Sequence, residues 1–199
     1  VLVGARNLSN GHSREGRAYL FLGTATGLGS TPAWIAEGDS AAAQFGASVA
    51  SAGDLNGDGR SDVLIGAPGY SNGEANEGRV YVFLSSSGGL SSTPAWTYES
   101  DSISAALGSS VVSVGDLDLN GRIDVVVGAS TYSSGETSEG RLYLFKGNGS
   151  SLETTPAWTY ESNSASASLG SSVSSAGDID GDGFNDVIAG AYGYSAGES

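Results

Sequence analysis

Apolar residues along this chain fall in short runs separated by polar turns, and the spacing within the runs is that of strands. The stretch from Gln44 to Tyr98 shows the pattern once. Residues 47–52 are small and largely apolar and stop at Gly53; a turn dense in Asp, Asn and Gly follows over 54–62. Residues 63–67 (VLIGA) are β-branched and aliphatic, which predicts a strand buried on both faces, ended by Pro68-Gly69. Residues 79–84 (RVYVFL) alternate and carry aromatics, which predicts a half-buried strand. A Ser/Gly turn leads to a fourth strand over 95–99 (AWTYE). No segment sustains the 3.6-residue period of a helix, and none approaches the ~18 apolar residues of a membrane-spanning helix.

The same order recurs. Thr-Pro-Ala-Trp stands at 31–34, 93–96 and 155–158, Glu-Gly-Arg at 15–17, 77–79 and 139–141, and Gly-Asp at 53–54, 115–116 and 177–178; every step is 62 residues. Residues 93–124 and 155–186 agree at 22 of 32 positions. The periods run 1–62, 63–124 and 125–186, and 187–199 opens a fourth by repeating the beginning of the chain. Four short strands per repeat is the pattern of a β-propeller blade. The expected fold is therefore all-β: a single domain, 1–199, built of four-stranded antiparallel blades. Rings of this kind have about 4–8 blades. Three units are then a partial propeller, completed by self-association or belonging to a longer parent chain. The two ends are complementary: 1–13 supply a second strand and loop, and 165–199 a first strand, a loop and another second strand. Gly46, Gly66, Ala67, Gly108, Gly128 and Ala129 would suit a crowded place where blades converge.

Composition narrows the chemistry. Eight Lys+Arg stand against 22 Asp+Glu, a net charge of −14, so the positive footprint of a nucleic-acid binder is missing. There is no cysteine, hence no disulfide framework or thiol chemistry, and no methionine, which fits a processed product or a fragment.

Ten of the 22 acidic residues lie in three aligned nonapeptides. They read Asp54-Leu-Asn56-Gly-Asp58-Gly-Arg60-Ser-Asp62, Asp116-Leu-Asp118-Leu-Asn120-Gly-Arg122-Ile-Asp124, and Asp178-Ile-Asp180-Gly-Asp182-Gly-Phe184-Asn-Asp186. Side-chain oxygens occupy positions 1, 3, 5 and 9 of each, and position 6 is always glycine, which permits a sharp turn with positive φ. Hard oxygen donors at odd spacing are the layout of a calcium loop, with the backbone carbonyls of Arg60, Arg122 and Phe184 as the donors at position 7. Three Ca²⁺ sites are expected, the third, with four Asp and no Arg, being the tightest. Solvated Asp/Asn/Gly turns are the competing reading, but the oxygens keep their positions while the residues between them drift. An EF-hand is excluded, because position 12 is Ile65, Val127 or Ala189 and the flank is a strand pattern.

The unit with Phe45-Gly46 before the acidic turn and Gly66-Ala67-Pro68 after it resembles the FG-GAP repeat, the unit of the integrin α-subunit propeller and of many bacterial secreted proteins. The second unit has Leu107-Gly108 and Gly128-Ala129-Ser130, and the third Leu169-Gly170 and Gly190-Ala191-Tyr192. The resemblance implies a β-propeller with Ca²⁺ in the hairpin loop between the first two strands of a blade. It also implies a ring of more blades than this chain has.

Other recurrent residues have two readings each. Trp34, Trp96 and Trp158, with Tyr98 and Tyr160, could stack sugars or pack between blades; recurrence in every unit favours packing. His12 is the sole histidine and aligns with Glu74, Glu136 and Glu198, so no zinc or Ser-His site can be assembled. Glu77 and Glu139 could be imagined as the paired acids of a glycosidase, but they recur as Glu15 beside Gly and Arg and read as turn residues. Asn7 and Asn148 head glycosylation sequons. The expected function is a non-enzymatic, calcium-binding extracellular module for adhesion or for a protein or glycan ligand. The alternatives are a lectin, a propeller attached to an enzyme, and a structural or engineered repeat unit.

Overall fold

The computed structural model describes residues 1–195; residues 196–199, the last of the stretch expected to open a fourth repeat, with Glu198, lie outside the described residues. Among the described residues every regular element is a strand, and no helix is present to cross a membrane. The first sheet consists of β1 (Leu2–Ala5), β2 (Arg17–Leu20) and, after a two-residue-strand hairpin of β3 (Gly23–Thr24) and β4 (Gly27–Leu28), β5 (Trp34–Glu37). The second has β6 (Ser48–Gly53), β7 (Asp62–Ala67) and β8 (Arg79–Phe83), then a hairpin of β9 (Ser85–Ser86) and β10 (Gly89–Leu90), then β11 (Trp96–Glu99). The third has β12 (Leu107–Gly115), β13 (Asp124–Ala129), β14 (Arg141–Phe145) and β15 (Trp158–Glu161), and the last β16 (Leu169–Gly177) and β17 (Asp186–Ala191). Each sheet is an antiparallel meander in chain order, the arrangement of propeller blades, and the sheets do not close on themselves. The small hairpin between the third and fourth strands was not legible in the Ser/Gly turn.

Burial explains why the strands read as they do. Every residue of β7 and β13 is buried, because each central strand has a neighbouring sheet on both faces. Ala18, Trp34, Phe45, Val63, Ile65, Tyr81 and Phe83 form one core between the first two blades. Leu64, Val80, Val82 and Trp96 join Leu107, Val125, Val127, Tyr143 and Phe145 in a second, between the next two. Successive residues of one strand thus serve opposite interfaces, and burying each large side chain contributes about 1.5–3 kcal/mol. β17 has the same sequence pattern, yet Val187 is 36% and Ile188 61% exposed, since among the described residues no third strand pairs with its open edge and no further sheet covers its outer face.

The small residues do lie where blades meet. A Cβ on Gly66 would come within 2.0 Å of the Gly108 carbonyl oxygen, and one on Gly128 within 2.0 Å of that of Gly170. Across the same seam the Ser48 hydroxyl donates to the Gly108 carbonyl (2.7 Å) and the Ser110 hydroxyl to that of Gly170 (2.7 Å). A second seam joins the lead into the third strand of one blade to the start of the next blade. The N–H groups of Phe45, Leu107 and Leu169 donate to the carbonyls of Glu15, Glu77 and Glu139 at 2.9, 3.0 and 3.1 Å. The recurring Glu-Gly-Arg is therefore a blade-to-blade junction rather than a free turn.

Candidate metal centre

The three acidic nonapeptides connect β6 to β7, β12 to β13, and β16 to β17, which places each between the first and second strands of its blade. Their folding is directed by the carboxylates themselves. At position 1, Asp54 Oδ1 accepts the N–H groups of Gly57 (2.8 Å) and Asp58 (3.0 Å), and Oδ2 that of Gly59 (2.7 Å). Asp178 repeats all three bonds with Gly181, Asp182 and Gly183, and Asp116 accepts from Asn120 and Gly121. At position 9, Asp62 is fully buried and closes the loop, accepting from Leu55 N–H (2.9 Å) and Ser85 N–H (2.8 Å). Asp124 does the same with Leu117 and Gly147, and Asp186 accepts from Ile179. Burial pushes the Asp62 and Asp124 carboxyls up; these backbone donors oppose that, and neighbouring aspartates add to it.

Position 3 varies. Asn56 Oδ1 accepts the Asp58 N–H, and Asp180 Oδ1 the Asp182 N–H. Asp118 instead meets the Lys146 ammonium, Nζ to Oδ2 2.6 Å, which holds its carboxyl below the usual range, while its Oδ1 is buried with no partner. Position 5 turns back on the chain: Asp58 Oδ1 accepts Arg60 N–H and Asp182 Oδ1 accepts Phe184 N–H, both at 2.9 Å. Glycine at position 6 has the expected positive φ, 83° at Gly59, 83° at Gly121 and 94° at Gly183. Position 4 has it too, at Gly57 (77°), Leu119 (59°) and Gly181 (80°), a requirement the sequence conceals because leucine stands there once.

The result is a convergence of oxygens. Carboxylate oxygens of Asp116, Asp118 and Asp124 lie within 4.8 Å of one another, as do those of Asp178, Asp180 and Asp186. Ligands held at about 2.3–2.6 Å from one Ca²⁺ can be at most about 5 Å apart, so positions 1, 3 and 9 fit a common hard cation. Each carboxylate oxygen that accepts one N–H keeps a second lone pair for a metal.

The repeat itself decides the family. The FG-GAP repeat family matches residues 45–83, and the FG-GAP-like repeat family residues 116–189, together more than half of the chain. The chain belongs to the FG-GAP repeat family. Over 165 residues, 79% of the chain, it is 38% identical to integrin alpha-IIb of Mus musculus, and over 163 residues 37% identical to integrin alpha-IIb of Homo sapiens. Integrin alpha-V of Gallus gallus is 33% identical over 200 residues, 96% of the chain. The chain spans 15–19% of the length of these relatives. The FG-GAP order of first strand, acidic loop and Gly-Ala strand is the one described here.

The tryptophans divide. Trp34 and Trp96 are 9% and 8% exposed and have no free face for a sugar, whereas Trp158 is 49% exposed and stacks on Tyr160. His12 is exposed on its loop, but its ring touches the buried Glu15.

Proposed function

We propose that the chain is an extracellular, calcium-stabilised propeller segment that serves adhesion or ligand binding and has no catalytic role. The convergence of positions 1, 3 and 9 in the second and third loops, within integrin-α-like repeats, carries this reading. In the third loop the holders are Asp178, Asp180, Asp182 and Asp186, with the carbonyl of Phe184. In the second they are Asp116, Asp118, Asn120 and Asp124 with the carbonyl of Arg122, and in the first Asp54, Asn56, Asp58 and Asp62 with that of Arg60. Calcium supplies no reaction; it neutralises crowded carboxylates and fixes each hairpin.

A ligand that binds only the folded form stabilises it by about 2.7 kcal/mol at 100-fold over its dissociation constant. Millimolar calcium, the level at which extracellular modules operate, is therefore expected to raise the melting temperature, and chelation to lower it. A melting temperature indifferent to both would refute the assignment. The open edge and outer face of β17, and the exposed Trp158–Tyr160 pair on β15, are where further strands from a longer parent or a second copy would pack. The binding of a protein or glycan ligand is assigned to the exposed loops of the assembled ring.

A further inference from the structure

A second group of carboxylates sits at the opposite end of the blade. β8 and β11 pair with Arg79 opposite Glu99. Continued by two residues, that register sets Asp101 opposite Glu77, beyond the end of β7 that is far from the 54–62 loop. Glu77 is fully buried. Its Oε1 accepts the Asn72 N–H (2.6 Å), and its backbone carbonyl takes the Leu107 N–H and the Ser100 hydroxyl. Among the described residues its Oε2 is buried with no partner. Carboxylate oxygens of Glu77, Glu99 and Asp101 lie within 4.8 Å of one another. Glu99 is paired with Arg79, Nε to Oε1 3.3 Å, and accepts from Asn72 Nδ2 at 3.1 Å. Burial pushes the Glu77 carboxyl up, and Glu99, Asp101 and Glu74 push it further. Of these four carboxyl groups, Glu99 is the one that the Arg79 guanidinium pairs with among the described residues.

The first repeat shows what such a buried oxygen needs. There Glu15, Glu37 and Asp39 form the same group. At the position of Glu74, however, stands His12, which meets Glu15 Oε2 with both its N–H (3.2 Å) and its ring Nδ1 (3.1 Å). Burial pushes the Glu15 carboxyl up, but the Asn10 and His12 bonds outweigh it and leave the carboxyl lowered. In the third repeat Glu139 Oε2 is again without a partner, but Asn163 replaces the aspartate. The second repeat therefore combines the orphan oxygen with the full carboxylate set and supplies no donor of its own.

We propose that Glu77, Glu99 and Asp101 hold a divalent hard cation, of the size and oxygen preference of Ca²⁺, at the end of the blade away from the acidic loops. The oxygens have the separation that one such ion's shell allows. The ion would give Glu77 Oε2 the partner that His12 gives Glu15. It would also tie the loop before β8 to the connection leaving β11, which leads into the next blade.

The test is the number of calcium ions bound by the whole chain, measured by calorimetry in millimolar calcium. Glu77→Gln keeps the acceptor for Asn72, and Asp101→Asn changes an exposed residue, so the second variant decides the matter if the first does not fold. Each is expected to bind one ion fewer than the unaltered chain. Asp178→Ala, which removes the position 1 carboxylate of the third acidic loop, should remove a different ion and leave this one, which separates this site from the loop sites. Equal ion counts in the unaltered chain and Asp101→Asn overturn the proposal.

Discussion

Trp96 Nε1 donates to the backbone carbonyl of Glu153 at 3.1 Å, across the boundary between two blades. Trp34 makes the same bond, 57 residues forward, to Ser91 at 2.8 Å. Each ring also packs edge-on against the phenylalanine of the following blade, Trp34 on Phe83 at 5.1 Å and Trp96 on Phe145 at 5.0 Å. The tryptophan is an interlock that needs its successor, and Trp158 faces no third copy of that partner among the described residues. Acrylamide is therefore expected to quench Trp158 strongly and Trp34 and Trp96 weakly, with Trp158→Phe removing most of the quenchable emission. Uniform quenching of all three would contradict the interlock.

Gly78 makes the other seam possible. Its φ is 81°, and a Cβ there would lie 2.3 Å from both the backbone nitrogen and oxygen of Leu107. Gly57 has a similar φ, 77°, with nothing within 4 Å. Gly57→Ala is expected to cost about 1–2 kcal/mol, the conformational term alone. Gly78→Ala must also push adjacent blades away from each other, and about 3 kcal/mol or more is expected. Urea unfolding of the two variants measures the difference; equal losses would show that the close approach is unimportant.

How much of this could be read in the chain depends on whether a residue's role is local. Strand patterns, the 62-residue period and the acidic nonapeptides are local, and they appear where the alternation and the Asp/Gly spacing put them. Glu77 looked like a turn residue beside Gly78 because nothing within the motif says that Leu107, some thirty residues later, covers it. Asp62 looked like one ligand among equals, whereas Leu55 and Ser85 make it the clasp of the loop. Lys146 was invisible as a neighbour of Asp118, since only the blade's third strand brings it there. Trp158 repeats the sequence of Trp96 but not its burial, because burial depends on the next blade.

Leu119 carries a strain that its counterparts avoid. It holds φ 59° and is 61% exposed, so little packing offsets the left-handed backbone. Leu119→Gly, the residue found at Gly57 and Gly181, is expected to stabilise the chain by up to about 1 kcal/mol after the extra chain entropy of glycine is counted. Chemical denaturation checks this, and a destabilised variant would mean that Leu119 makes contacts worth more than the strain.

The same loop should be the weakest of the three for calcium. Lys146 Nζ already neutralises Asp118 at 2.6 Å, and its positions in the other repeats are Leu22 and Leu84. Two unit charges about 4 Å apart interact by about 1 kcal/mol even at the dielectric of water, and a dication doubles that. A lysine fixed on a ligand therefore repels the incoming ion and competes for the oxygen. Lys146→Leu is expected to tighten calcium binding at the second loop about tenfold or more, a change of about 1.4 kcal/mol per decade. Calorimetric titration of the whole chain would show it as a shift of the weakest site toward the others. The third loop, with four aspartates and no such competitor in contact among the described residues, should keep its affinity. If Lys146→Leu left every site unchanged, the ammonium would be a structural tether that moves aside when the ion enters, and the ranking of the loops would have to rest on carboxylate number alone.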